Sequence, residues 1–211
     1  MNPAFNPELF SYYLNIHWMF VAMRKVSNKL LQDQFIRRWS PRSFQVTPLT
    51  DEEIQSLFEA ARWSPSCFNE QPWRFVYAVS EESRKKLSNT LNEANAIWAE
   101  KAPLLVVVAS QKYFTRNQKE NPWHQFDAGA AWMSLALQAH HLGLVSHAMG
   151  GFDEQYVSEV CDLDLDKYSV LCVVAIGRQA AAEALPLALQ ERETPSDRLF
   201  LDEVVYKDRM R

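Results

Sequence analysis

Arg38, Ser40 and Arg42 alternate within the stretch RRWSPRSF at positions 37–44. In extended backbone, residues i, i+2 and i+4 share one face. Two guanidiniums flanking a hydroxyl on such a face suit a phosphate monoester, which arginine grips bidentately. A plainer account also fits, because residues 24–36 read as a helix ending near Arg37–Pro41 and cations gather at helix C-termini. A second stretch, SPSCFNEQPWRF at 64–75, follows a helical segment and precedes a strand. It is longer, more polar and more aromatic than a plain helix-to-strand connection requires. Loops on a rigid scaffold are where binding groups tend to sit. A third stretch ends a strand with His147-Ala148-Met149 followed by Gly150-Gly151. A turn explains one glycine; a pair suits close backbone approach to a flat ligand.

Several other chemistries are disfavoured. The five glycines, at 129, 143, 150, 151 and 177, form neither GxGxxG nor GxxxxGK, so any nucleotide is held by another route. Cys67, Cys161 and Cys172 make no CxxC pair, which indicates neither a zinc site nor a disulfide framework and suits a reducing, cytoplasmic setting. Cys67 has no neighbouring histidine to activate it as a nucleophile. His140 and His141 point about 100° apart on a helix and lack a carboxylate at ligand spacing, so with His147 they read as ordinary histidines rather than a metal cluster. A net charge of −4 and the absence of a long Lys/Arg block argue against a nucleic-acid footprint. Hydrophobic residues at 47% and charged ones at 23% describe an ordinary soluble globular chain.

The elements that must position these residues follow from periodicity. Residues 9–23 are apolar but too short and too interrupted for a membrane span, and read as a surface helix that packs on a partner subunit or lies on a membrane surface. Thr50-Asp51-Glu52-Glu53 is a capping box that starts a helix with Ile54, Leu57, Phe58 and Ala61 on its apolar face. Residues 74–80 alternate as a strand, 81–101 read as one helix, and 104–110 after Pro103 as a buried strand. A long helix runs from about Asp127, its N-cap, to His141 and closes at Gly143. Strand 144–149, a short helix Asp153–Cys161 and buried strand 169–176 follow. The tail combines an Ala/Leu-rich stretch, the polar turn ETPSDR and a β-rich LFLDEVVY. No linker divides the chain, apart from an N-terminal helical extension at 1–33.

RRWSPRSF, SPSCFNEQPWRF, GLVSHAMGGFD at 143–153 and SDR at 196–198 occur in an order and spacing that resemble the nitroreductase family, over roughly residues 34–206. The resemblance implies an α+β fold with a mainly antiparallel central sheet flanked by helices, and a homodimer with non-covalent FMN at its interface. It implies hydride transfer from NADH or NADPH to the flavin N5 and on to a nitroaromatic, quinone or similar acceptor in a ping-pong cycle. No side-chain acid or base is needed for the first half. Arg38, Trp39, Ser40 and Arg42 would hold the flavin, with Arg42 nearest its N1/O2 edge, and Arg198 would close on the phosphate. Pro65, Ser66, Asn69 and Gln71 belong to a loop that reaches the other subunit's flavin. Met149, Gly150 and Gly151 would lie against the ring, and Asn95 at its edge. Cys67, Phe68, Trp123 and Phe126 would line the substrate pocket, as would His124.

The chain also departs from the family pattern. Ser196, Trp98 and Gly150 replace a frequent basic residue, a frequent lysine and an occasional glutamate. A non-enzymatic flavin-binding protein, or another flavin chemistry such as reductive dehalogenation, shares the same scaffold. Trp73 and Phe75 read as core anchors, and Pro72 as a lock on the loop exit.

Overall fold

The computed structural model describes residues 30–210. The apolar stretch 9–23 and most of the N-terminal extension therefore lie outside the described residues. Two compact units are present. The first comprises residues 30–37 and 194–210 of the described chain. It contains helix α1 (Asp33–Arg37), closed by an Arg37–Asp33 ion pair at 2.9 Å, and an irregular tail. The β-rich stretch 199–206 forms no strand. Phe200 and Glu203 instead cap a single 3-10 turn at Leu201–Glu203, where the Phe200 N–H donates to Glu203 Oε2 at 2.6 Å. High β propensity without a pairing edge leaves such a segment free to follow local hydrogen bonds.

The second unit, Arg38–Glu193, holds the sheet. Helix α2 (Asp51–Arg62) begins at the Thr50 capping box, with both reciprocal bonds present. Strand β1 (Trp73–Ala78) is followed by helices α3 (Glu81–Ser88) and α4 (Glu93–Ala99). The single helix expected over 81–101 is thus two. Asn92 caps α4 by accepting from the Asn95 N–H, while Leu91 leaves the helical path to bridge Phe152. Strand β2 (Leu104–Gln111), helix α5 (His124–His141), strand β3 (Val145–Met149), helix α6 (Glu154–Cys161) and strand β4 (Tyr168–Gly177) complete the core, and a short helix α7 (Leu187–Gln190) follows. Gly143, at φ +72°, lies just past the end of α5 in the left-handed region that glycine occupies without cost.

All strand pairs are antiparallel, in the order β1-β2-β4-β3. The period-2 alternation of β2 explains the layers. Leu105 and Val107 face a core with Leu87, Trp98, Ala99 and Val157 from α3, α4 and α6. Leu104, Val106 and Val108 face the other core, with Leu57, Ala61, Ala131, Leu135 and Ala139 from α2 and α5. Helices cover both faces, so β2 is apolar from Leu104 to Ala109 despite its antiparallel partners. The sheet is α+β in character, as the motifs imply. Trp73 is buried in the α2/α5 core, with Phe75 packed against it.

Gly177 ends β4 where a Cβ would stand 2.5 Å from the Pro103 ring and 3.2 Å from Phe44. A Gly177→Ala substitution must displace a rigid ring, and we expect it to destabilise the fold by about 1–3 kcal/mol. Urea unfolding measures this directly; an unchanged midpoint would contradict the packing described.

Candidate functional site

The segment carrying Arg38, Ser40 and Arg42 has no regular secondary structure until Phe44 bridges Gln179, and Gln45 N–H donates to the Arg178 carbonyl at 2.9 Å. Ser43 Oγ donates to the Ala181 carbonyl at 2.6 Å. The segment is therefore laid along the chain leaving β4. Its second anchor is His147 on β3, whose Nδ1 meets the Pro41 carbonyl at 3.0 Å. Trp98 fills the space between these elements. Its ring stacks on Phe44 at 6.2 Å and lies 4.6 Å from His147. Trp98 is 1% exposed, a core side chain.

The glycine turn closes the same region. Asn92 N–H donates to the Gly151 carbonyl at 3.0 Å, and Asn95 Nδ2 donates to that carbonyl at 3.3 Å. A Cβ at Gly151 would stand 2.1 Å from Asn92 Nδ2 and 2.9 Å from Asn95 Nδ2, so only glycine fits without moving both amides. Gly150 has open space where its Cβ would be. The Met149 side chain is buried in the core, leaving its main chain as the part available to a ligand. Three remote stretches (residues 38–42, Asn95 and Met149–Gly151) are thus joined through Phe44, Trp98 and His147. Trp39 is half-buried beside the two arginines in sequence.

Glu193, which sequence reasoning missed, is buried and accepts the backbone N–H groups of Arg42 and Ser43 on Oε1 at 2.6 and 2.8 Å. Arg42 Nη1 lies 3.8 Å from Glu193 Oε2 and 3.5 Å from the Arg192 carbonyl. No local motif marks a lone glutamate about 150 residues away. Arg198, in the other unit, donates to the Ser196 side chain and carbonyl and to the Asp197 carbonyl.

The loop before β1 is held in an unusual conformation. Phe68, Asn69 and Gln71 have φ of +54°, +58° and +52°, which is uncommon for non-glycine residues and an outlier for a bulky one. Ser66 Oγ accepts the Gln71 N–H at 3.0 Å, and Gln71 Nε2 donates to the Asn69 carbonyl at 3.0 Å. Asp127 Oδ2 accepts the Cys67 N–H at 3.0 Å, and Glu70 Oε1 accepts the Thr115 N–H at 2.6 Å. Asp127 is therefore not the cap of α5. The helix starts at His124, and this buried carboxylate in its first turn serves the loop instead. Phe68 is exposed, edge-on to Phe114 and covered by the Arg116 guanidinium at 4.0 Å. Pro65, Trp123 and Phe126 are exposed, while Cys67 is half-buried.

Burial pushes the His147 and His124 imidazoles below their ordinary value of 6.5. For His147, the Pro41 carbonyl opposes that shift and Arg42 adds to it. His124 Nδ1 shares a 2.7 Å hydrogen bond with Ser110 Oγ. A histidine whose folded pKa is depressed stays neutral in the fold while the unfolded chain takes up a proton below pH 6.5. Stability from this source is complete above that pH and is lost as pH falls through 6.5 towards the folded value. We expect thermal unfolding midpoints to fall across that window, and less steeply in a His147→Asn variant. Parallel pH profiles for the two proteins would contradict this.

The nitroreductase family model matches residues 36–97 and 90–178, well over half of the chain, and the chain belongs to the nitroreductase family. A crystal structure described as an oxidoreductase containing FMN is 39% identical, with a TM-score of 0.84 over 89% of this chain and 96% of that one. A Streptomyces coelicolor protein with the provisional name NADH dehydrogenase/NAD(P)H nitroreductase is 29% identical over 163 residues, 67% of this chain and 79% of its own length. A nitroreductase family protein from Clostridium difficile 630 shares the fold at a TM-score of 0.64, with 24% identity over 82% of this chain and 95% of that one.

Proposed function

We propose that this chain is an NAD(P)H-dependent flavin oxidoreductase that binds FMN without a covalent bond, in sites shared between two copies of the chain. The observation carrying this reading is the Phe44–Trp98–His147 packing, which gathers the arginine segment, Asn95 and the glycine turn into one cradle. The residues fit the group. Guanidiniums and a hydroxyl suit its phosphorylated tail, and Gly150 leaves open space beside a main chain free of side-chain bulk. The 39% identical relative contains FMN, and the name of the Streptomyces relative specifies NAD(P)H.

Arg38 and Ser40 would hold the phosphate and ribityl oxygens, and Arg42 would place positive charge near the N1/O2 edge. Asn95 would offer its amide to the ring edge, and the Gly150-Gly151 main chain would lie against the ring. When bound, FMN supplies a ring that accepts hydride at N5 from the nicotinamide and delivers it to an acceptor in a second, ping-pong half-reaction. The chain's part is to hold both partners in stacking geometry. Cys67, Phe68, Trp123 and Phe126 form apolar walls suited to a flat acceptor such as a nitroaromatic or quinone.

The sheet order supports a shared site. Ser66 and Asn69 lead into β1 at one edge, whereas Gly150 leaves β3 at the other, three strand spacings or about 14 Å away. Helix α5 supports a second copy as well. Phe126, Ala130, Met133 and Leu137 recur at helical spacing opposite its buried face, and Phe126 is 75% and Met133 37% exposed. A helix apolar on both faces calls for a partner, and Asp127 ties the 64–71 loop to that helix. Met133→Glu should give a folded monomer that has lost most of its FMN; sedimentation and the flavin absorbance report both, and an intact yellow dimer would argue against this face. Anaerobic addition of NADH or NADPH tests the activity. Bleaching of the yellow protein and its return with an added quinone are expected, and protein that stays yellow with both donors overturns the reductase reading.

A further inference from the structure

We infer that Glu193 sets the position and the effective charge of Arg42, and so tunes how strongly the site favours the reduced, more negative form of its flavin. This rests on the flavin reading above. The Glu193 side chain is 1% exposed and divides its two oxygens between different tasks. Oε1 accepts the Arg42 and Ser43 N–H groups at 2.6 and 2.8 Å, which fixes the backbone at the foot of the arginine. Oε2 is buried and has no hydrogen-bond partner among the described residues, and the Arg42 guanidinium lies 3.8 Å from it. A buried carboxylate is costly unless a cation compensates it, so the two groups hold each other. Arg42 Nη1 also reaches the Arg192 carbonyl at 3.5 Å, a second and longer contact. The consequence is electrostatic as well as geometric. A negative charge this close to the guanidinium offsets part of its field, and in a partly buried site that offset is weakly screened. Glu193 is a positioning residue: it acts through Arg42 and needs no contact with the flavin.

Charge and geometry separate in a variant series. Glu193→Gln keeps an oxygen for the two N–H groups and removes the charge. Its stability should stay near that of the wild type, and binding of reduced relative to oxidised FMN should strengthen about tenfold, a rise of about 30 mV in the two-electron midpoint potential. Glu193→Met, neutral and of similar length, should raise the potential likewise while lowering the unfolding midpoint, so either neutral variant reports if the other fails to fold. Glu193→Asp, still charged, should lose stability without that rise. A folded, FMN-loaded neutral variant with an unchanged or lowered potential overturns the inference. Wild-type protein that binds no FMN would instead remove the flavin reading itself, before any variant is compared.

Discussion

Arg38→Ala should purify largely free of flavin. In the proposed site, Arg38 gives the phosphate a charge-assisted, bidentate contact, and hydrogen bonds to charged groups contribute about 1.5–3 kcal/mol each. Loss of one or two such bonds weakens FMN binding by at least about tenfold and by up to about twenty-thousandfold. Without a phosphate-loop fingerprint among its five glycines, the chain has no alternative anion cradle of that kind to compensate. The half-buried Arg38 lies at the start of the irregular segment, outside the two sheet-facing cores, so its removal leaves those cores intact. The flavin-to-protein absorbance ratio after purification, followed by titration with FMN, measures the effect. Wild-type flavin content in a folded Arg38→Ala protein would remove this residue from the site.

Trp98→Ala should be the most destabilising single change in the α4 region. Its ring is fully buried and joins Phe44, on the arginine segment, to His147 on β3. Truncating a buried tryptophan costs about 3–5 kcal/mol, against a typical domain stability of about 5–15 kcal/mol. The loss has a second effect that an ordinary core cavity would not. Residues 38–42, Asn95 and the glycine turn would no longer share a rigid support, so FMN affinity should fall even where the variant remains folded. Urea unfolding with and without FMN separates the two effects. A variant that is destabilised but binds FMN as tightly as the wild type would show that Trp98 is core filling alone.

Much of this was legible in the sequence because local chemistry and tertiary context agree. The Thr50 box, the apolar run of β2 and the Gly143 stop of α5 all needed only neighbouring residues to be read. The glycine pair was readable as a close approach, although the neighbours it approaches include the side chains of Asn92 and Asn95. What escaped depends on contacts distant in sequence. The break between α3 and α4 is stabilised by Leu91 meeting Phe152 and by Asn92 bonding Gly151, neither visible in the helical pattern of 81–101. Asp127 resembles a cap by position, yet its carboxylate holds a loop 60 residues earlier. Glu193 looks like any charged residue in a polar tail, and only folding brings it under Arg42. The β-rich stretch 199–206 shows the opposite case, since propensity is present but the described residues offer it no partner strand.

Subunit mixing tests the shared site most directly. Arg38→Ala keeps a normal 64–71 loop, and a Ser66→Ala/Asn69→Gly double variant keeps a normal arginine segment; each alone should be nearly colourless. Co-refolded, the two chains should regain up to one FMN per mixed dimer, because one of its sites then combines an intact loop with an intact arginine segment from different copies. A mixture as colourless as its parents, or a loop variant that keeps its full flavin unaided, would contradict the account.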